Sequence, residues 1–288
     1  MPRSVYVNGR YLPYADAMVH VEDRGYQFAD GIYEVFGVRQ GKLIDEEGHA
    51  GRLARSLREL KIASPASERA LRIICLETIR RNRVRDGLVY VQVTRGVARR
   101  DHAFPDPPVR PGLVVTAWPV DMKKAKAKAQ RGLKVITVPD IRWQRCDIKT
   151  VALVPNVMAM HAAREAGADD AWLLDDVGMV TEGTRANAWI VDSDGHLITR
   201  HTDAAILSGI TRATIMKVAE ERGLKVIERP FSADEAKAAR EAFVTGAGST
   251  VTPVVEIDGQ VIANGAPGSV ATALWDAYET YAITHAAD

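Results

Sequence analysis

Ile32-Tyr33-Glu34-Val35-Phe36-Gly37-Val38-Arg39 is rich in β-branched and aromatic residues and stops at the turn pair Gln40-Gly41. It reads as a strand, and period-two geometry puts Tyr33, Val35 and Gly37 on one face. Just beyond it, Asp45 can cap a helix running to about Lys61, in which Ala50, Leu53, Leu57 and Leu60 recur at helical spacing. Arg52 lies off the centre of that stripe. Working outward, Val5-Tyr6-Val7 with Asn8-Gly9 is a strand and its hairpin turn. Ser67 to Asn82 is a second amphipathic helix, and Leu88 to Arg95 is a strand with Val89, Val91 and Val93 facing one way. Prolines 105, 107, 108 and 111 exclude regular structure between Asp101 and Pro111. The strand Leu113–Ala117 follows, then Pro119 and the run Lys123-Lys124-Ala125-Lys126-Ala127-Lys128. That run is either an anion patch or, more plainly, a solvated linker. It places a domain boundary near 118–124, giving domains 1–120 and 121–288. The second half alternates strands at Leu133–Val138, Ala171–Leu174, Asn187–Val191, Leu224–Ile227, Ala242–Thr245 and Val254–Ile257 with helices over Gly209–Arg222 and Gly268 to about Tyr281. Asp258-Gly259 makes a hairpin turn. Neither regular βαβ alternation nor a sandwich, the pattern predicts an α+β fold with two sheets.

The chain has 288 residues, enough for roughly two domains. Lys plus Arg is 38 against 37 Asp plus Glu, which argues against a nucleic-acid-coating protein or a polybasic membrane anchor. The apolar fraction of 47% and charged fraction of 26% suit an ordinary soluble protein. Cys75 and Cys146 form no CxxC and no disulfide framework. The first residues lack the apolar core of a signal peptide, and no apolar run approaches the ~18 residues of a membrane span. The expectation is a cytoplasmic enzyme.

Metal chemistry has little support, because the seven histidines show no HExxH and no i, i+4 pair. No GxSxG elbow and no P-loop occur, and the GxG at Gly246-Ala247-Gly248 lacks a dinucleotide-binding continuation. Two segments say more. Asp140-Ile141-Arg142-Trp143-Gln144-Arg145-Cys146-Asp147-Ile148-Lys149-Thr150 ends in a lysine followed by the apolar Val151-Ala152-Leu153-Val154-Pro155. A lysine beside a core-forming run and two arginines would have a lowered pKa and a nucleophilic amine. A strand-end lysine with its head in water is the plainer reading of these residues alone. Thr181-Glu182-Gly183-Thr184-Arg185-Ala186-Asn187 enters a strand; its acidic residue is either turn chemistry or a partner for a pyridinium nitrogen. Leu207-Ser208-Gly209-Ile210-Thr211-Arg212 opens a helix and offers an anion site, as any helix start does.

Taken together, these segments resemble the class IV, or fold type IV, pyridoxal-phosphate aminotransferases, on their D-amino-acid side. The resemblance covers nearly the whole chain. It rests on Glu22–Val35, Arg142–Lys149, Thr181-Glu182-Gly183, Gly209–Arg212 and Thr252–Gly259. It implies a small N-terminal α/β domain and a larger C-terminal pseudo-barrel α/β domain. It also implies pyridoxal 5'-phosphate as cofactor, a homodimer, and amino and 2-oxo acids as the small-molecule partners, with no nucleic acid and no membrane. Lys149 would bond the cofactor aldehyde and Glu182 would pair with the pyridine nitrogen. Arg52 would hold the phosphate, with Ile210 and Thr211 donating from the helix start. Gly246, Ala247, Gly248, Asn187 and Leu207 would complete the cofactor site. Tyr33 would sit on the substrate side. In the D-amino-acid branch an Arg-x-His pair on a loop traps the substrate α-carboxylate in the neighbouring subunit's site, and Arg100 and His102 match it. A guanidinium fork with an added imidazole donor suits a carboxylate. The implied reaction moves the amino group of D-alanine or D-glutamate to 2-oxoglutarate or pyruvate. Branched-chain L-amino-acid transamination and 4-amino-4-deoxychorismate lysis are the alternatives in the same fold. Two departures stand out. Relatives carry hydroxyls where this chain has Gly246-Ala247-Gly248, leaving backbone N–H groups for the phosphate. Where relatives have serines after Glu182-Gly183, Arg185 would bring a new charge near the cofactor.

Overall fold

The computed structural model describes residues 3–286. Contacts divide the chain into two compact units: one runs through Asp121 and includes Ile148–Ala152 and the chain from Ala282, and the other holds Met122–Asp147 and Leu153–Tyr281.

The first unit is built on β1 (Ser4–Val7), β2 (Arg10–Pro13), β3 (Gly31–Arg39), β4 (Lys42–Leu43), β5 (Gly87–Thr94) and β6 (Gly112–Pro119). They form one antiparallel sheet in the order β2-β1-β6-β5-β3-β4. A short helix, α1 (Arg24–Phe28), precedes β3, and α2 (Glu46–Glu59) and α3 (Glu68–Asn82) follow β4. Alternation along β5 buries Val89, Val91 and Val93 completely, and these meet Leu53, Leu57, Leu71, Cys75 and Ile79 of the helices in one core. Tyr33, Tyr90 and Gln92 take the opposite side of the pleat. Ser67 caps α3 by accepting from the Ala70 N–H. Asp45 does not cap α2 in this way: it stands at the expected position, but its left-handed backbone (φ 51°) makes no side-chain capping bond.

Ile148–Ala152 joins this unit although the sequence alone leaves it in the C-terminal half. Backbone bonds explain it: Tyr33 N–H donates to the Lys149 carbonyl, and Val151 N–H donates to the Gly31 carbonyl. The Thr150 hydroxyl also bonds the Gly31 carbonyl. Lys149 is therefore laid along the first residues of β3.

The second unit contains α4 (Met122–Arg131), β7 (Leu133–Pro139), α5 (Val154–Glu165), β8 (Asp170–Leu174), β9 (Val180–Gly183), β10 (Asn187–Val191), β11 (Leu197–Thr199), α6 (Ile210–Glu221), β12 (Val226–Glu228), α7 (Ala233–Ala238), β13 (Glu241–Gly246), β14 (Thr250–Ile257), β15 (Gln260–Val261) and the start of α8 (Ser269–Thr284). Its mixed sheet runs β12-β11-β10-β13-β14-β7-β8-β9, with β15 on β14. The sheet curls, and the short turn 184–186 joins β9 to β10, with the Gly183 N–H donating to the Ala186 carbonyl at 2.7 Å. Trp172, Val180, Ala188, Ile190, Ile198, Phe231 and Val244 share the core it encloses. The α+β fold with two sheets is as the pattern predicts.

Two expectations are corrected. The lysine run is not a linker but α4, whose Ala129 is buried while its lysines reach solvent. The apolar run after Lys149 is not core. It starts α5, and Val154, Val157 and Met158 form an exposed stripe at i, i+3, i+4.

Ile32 is fully buried in β3 between the helical core and the Lys149 segment. Ile32→Ala should lower the unfolding free energy by about 2–5 kcal/mol, read from urea titration by tryptophan fluorescence. A loss below about 1 kcal/mol would place the core elsewhere.

Candidate active site

In the first unit the Lys149 amine stands 4.4 Å from the centre of the Tyr33 ring. Tyr33 stacks on Tyr90 at 5.5 Å, and the Tyr90 hydroxyl donates to Gln92. Burial, with the Tyr33 phenol beside it, pushes the Tyr90 hydroxyl well above its ordinary pKa. The half-buried lysine thus rests on an aromatic surface, and its backbone N–H bonds Ser56 Oγ of α2 at 3.4 Å. The two arginines expected to repel it face carboxylates instead: Arg145 bonds Asp147, and Arg142 bonds Asp140.

Glu34 is the next residue along β3 and faces the other way, into α2. Its carboxylate is fully buried and accepts from Arg52 Nε and Nη2 at 2.9 and 2.6 Å, from the Val35 N–H, and lies 3.0 Å from His49 Nδ1. Burial pushes Glu34 up, but the Arg52 charge and the hydrogen bonds of His49 and Arg52 hold it far below the usual carboxylate range. Two of the donors of Arg52 are therefore fixed by a carboxylate that the sequence does not flag.

The loop after β5 is laced to the segment before β3. Arg24 N–H bonds the Gly96 carbonyl, Thr94 Oγ1 bonds Asp23, and the Asp30 carboxylate takes Arg24 Nε and both Nε and Nη2 of Arg95. Burial raises the Asp30 pKa, but the Arg95 and Arg24 bonds outweigh it and hold the group ionised. The close weave needs Gly25, where a Cβ would meet Thr94 Cγ2 at 2.2 Å. Beyond it, Arg100 and His102 are exposed, both against the Phe28 ring.

In the second unit Glu182 occupies β9 as β9 closes on β10. Arg142 Nη1 donates to Glu182 Oε1, while Asn187 Nδ2 and the Leu207 N–H donate to Oε2 at 3.2 and 3.4 Å. Asn187 also bonds the Leu207 carbonyl at 2.9 Å. Arg142 is held in turn by a two-pronged bond to Asp140 and by the Ala205 carbonyl. Asn187 and Leu207, both expected at the cofactor, thus bond Glu182 and fix it. Their neighbour Gly209 precedes α6, and a Cβ there would lie 2.0 Å from Asn187 Oδ1. Only glycine lets Asn187 pass beneath the helix start, where the Ile210 and Thr211 N–H groups have no acceptor within the helix. Gly246 ends β13 close to the Arg185 carbonyl and the Ala186 side chain, and Ala247 and Gly248 follow it in the turn to β14. Ser249 N–H closes that turn on the Gly246 carbonyl. Arg185 is exposed, and its charge adds to burial in lowering the pKa of Lys128 on α4.

Thiol chemistry is not on offer: burial pushes Cys75 up to about 12 and Cys146 up to about 11. Pyridoxal phosphate presents an aldehyde, a ring nitrogen and a dianion, and the residues present fit it. One unit carries a half-buried amine and a fixed guanidinium. The other carries a carboxylate with every oxygen held, next to an open helix N-terminus cleared by Gly209. Sequence reasoning missed Glu34, Asp140 and the role of Arg142 as partner of Glu182. The only signal was that Arg142 lies in the same motif as Lys149.

The sequence pattern of amino-transferase class IV matches residues 31–257. The chain is 41% identical over 266 residues to a D-alanine aminotransferase of Bacillus licheniformis, covering 92% of each. It is 36% identical to a D-alanine aminotransferase of Staphylococcus aureus, covering 98% of each. Among solved structures it resembles the branched-chain aminotransferase of the thermophilic archaeon Thermoproteus uzoniensis with norvaline, with TM-score 0.83 and 25% identity over 98% of this chain and 94% of that one. A match of this extent to both sequence and fold leaves no second assignment: the chain belongs to the class IV aminotransferase family.

Proposed function

We propose that this protein is a pyridoxal-phosphate transaminase that moves the amino group of a D-amino acid, of the D-alanine or D-glutamate type, to a 2-oxo acid such as 2-oxoglutarate or pyruvate. The observation that carries this reading is the Glu182 carboxylate, fixed as an acceptor by Arg142, Asn187 and Leu207. When bound, the cofactor supplies an aldehyde carbon for amines and an electron-poor ring that takes up the electron pair of the substrate Cα–H bond. Lys149 Nζ would hold the cofactor at its aldehyde carbon. As a free amine, Lys149 Nζ would serve as the base that takes the proton from the substrate Cα. Tyr33 keeps the amine oriented and partly shielded from water. Glu182 holds the proton on the ring nitrogen. Arg52, anchored by Glu34, binds the phosphate together with the Ile210 and Thr211 N–H groups. In the turn after β13, Gly246, Ala247 and Gly248 contribute backbone donors in place of hydroxyls. Arg100 and His102 grip the α-carboxylate.

We propose a cytoplasmic homodimer. Among the described residues no helix is long and apolar enough to cross a membrane. Exposed apolar residues cluster on each unit: Met18, Val19, Val21 and Tyr26 on one, and Val154, Val157 and Met158 on the other. Patches of this kind mark contact surfaces. The relatives named D-alanine aminotransferases support the D-amino-acid reading.

Borohydride treatment of the cofactor-loaded enzyme should abolish the visible band and leave a phosphopyridoxyl tag on Lys149. Lys149→Ala should lose multiple turnover. A tag on any other peptide would refute the assignment.

Glu182→Gln should keep the fold but slow the proton-transfer step in single-turnover kinetics. A neutral amide cannot hold the ring nitrogen protonated, and lost stabilisation of this kind costs about 2–4 kcal/mol. An unchanged rate would remove the role.

A further inference from the structure

Three consecutive residues of the loop after β5 are held by one short helix. The guanidinium carbon of Arg100 lies 4.7 Å from the centre of the Phe28 ring, and the His102 ring lies 5.4 Å from it. Between them, the Asp101 carbonyl accepts from Arg24 Nη1 at 2.6 Å. Arg24 belongs to the same helix, and its own guanidinium stands 4.8 Å from the Phe28 ring centre. Arg24 is buried and locked by Asp30. The remainder of the loop is exposed and proline-rich, so neither Arg100 nor His102 has another ring or ion-pair contact among the described residues that would set its position. An electron-rich ring face attracts cations and offers an edge to imidazole.

We infer that Phe28 is a positioning residue for substrate recognition: its ring, with Arg24 fastening the Asp101 carbonyl, aims Arg100 and His102 at the α-carboxylate of the amino acid. The inference rests on the proposed role of Arg100 and His102. It assigns Phe28 no contact with substrate or cofactor. Removal of the ring frees both side chains, so the bound ion pair must be assembled from a disordered pair at each encounter. That cost falls on ground state and transition state alike, because the α-carboxylate is held in both. The result is a rise in KM with little change in kcat.

The experiment measures kcat and KM for D-alanine and D-glutamate in the cofactor-loaded wild type and in Phe28→Ala, Phe28→Leu, Phe28→Tyr, Arg100→Ala and Arg99→Ala, with hydrogen exchange of the 97–104 segment. Each cation–ring contact is worth a factor of about two to five. Phe28→Ala and Phe28→Leu should therefore raise KM for both substrates about fivefold, leave kcat and cofactor absorbance near wild type, and speed exchange in the loop. Phe28→Tyr, which keeps the ring, should restore wild-type values. Should Phe28→Ala fail to fold, Phe28→Leu keeps the apolar volume and is read alone. If Arg100→Ala raises KM while the ring-less variants match wild type, the positioning role is overturned and the carboxylate site stands. If Arg100→Ala behaves as Arg99→Ala and wild type do, the carboxylate site itself falls. A fall in kcat with unchanged KM in the ring-less variants also overturns the inference.

Discussion

The carboxylate of Glu182 is the constraint around which the second unit is arranged. A buried carboxylate is costly unless its oxygens are bonded and its charge is matched. Here Arg142 supplies the charge, and Asn187 and the Leu207 N–H supply the remaining bonds. Each of these depends on the curl of the sheet. Asn187 opens β10 and reaches Glu182 across the short turn that joins β9 to β10. Arg142 stays in place because Asp140, at the end of β7, holds its other edge. Gly209 gives Asn187 room and starts α6 at the same spot. The held charge and the open helix terminus thus follow from one piece of packing.

The first unit solves a similar problem with different groups. Glu34 anchors Arg52, while Tyr33 supports the Lys149 amine. Adjacent residues of one strand therefore fix the Arg52 guanidinium and support the Lys149 amine, and the Lys149 backbone N–H also bonds Ser56 Oγ of α2 at 3.4 Å. The Arg24–Asp30–Arg95 cluster stabilises the end of β3 and the loop after β5 together. The Arg95 guanidinium also covers Phe104 at 3.7 Å, tying down the far end of that loop.

Much of the fold was legible because burial leaves a period in the sequence. Val89, Val91 and Val93 alternate, and they are the residues with no exposure in β5. The turns at Asn8-Gly9, Gln40-Gly41 and Asp258-Gly259 all fall where the backbone takes positive φ. Helix α5 was not legible, since its apolar stripe faces outward and looks like a core run when read without neighbours. The lysines of α4 hide a helix because alternating lysine and alanine suits a solvated face as well as a linker. Lys149, Glu182 and the Arg-x-His pair stand out in the sequence by family resemblance and not by local pattern. What holds them was out of reach, because the partners are distant in sequence: Arg142 with Glu182, Arg52 with Glu34, and Phe28 with Arg100. A carboxylate on the buried face of β3 makes sense only once α2 presents an arginine to it.

The account turns on the handedness of the amino acid, and product chirality reads it directly. The purified enzyme with bound cofactor is incubated with D-alanine and 2-oxoglutarate, and in parallel with L-leucine and 2-oxoglutarate, and the glutamate formed is resolved by chiral chromatography. The account predicts pyruvate and D-glutamate from the first mixture and no glutamate from the second. L-glutamate formed from L-leucine, with D-alanine left unchanged, would contradict it and assign the chain to branched-chain amino acids.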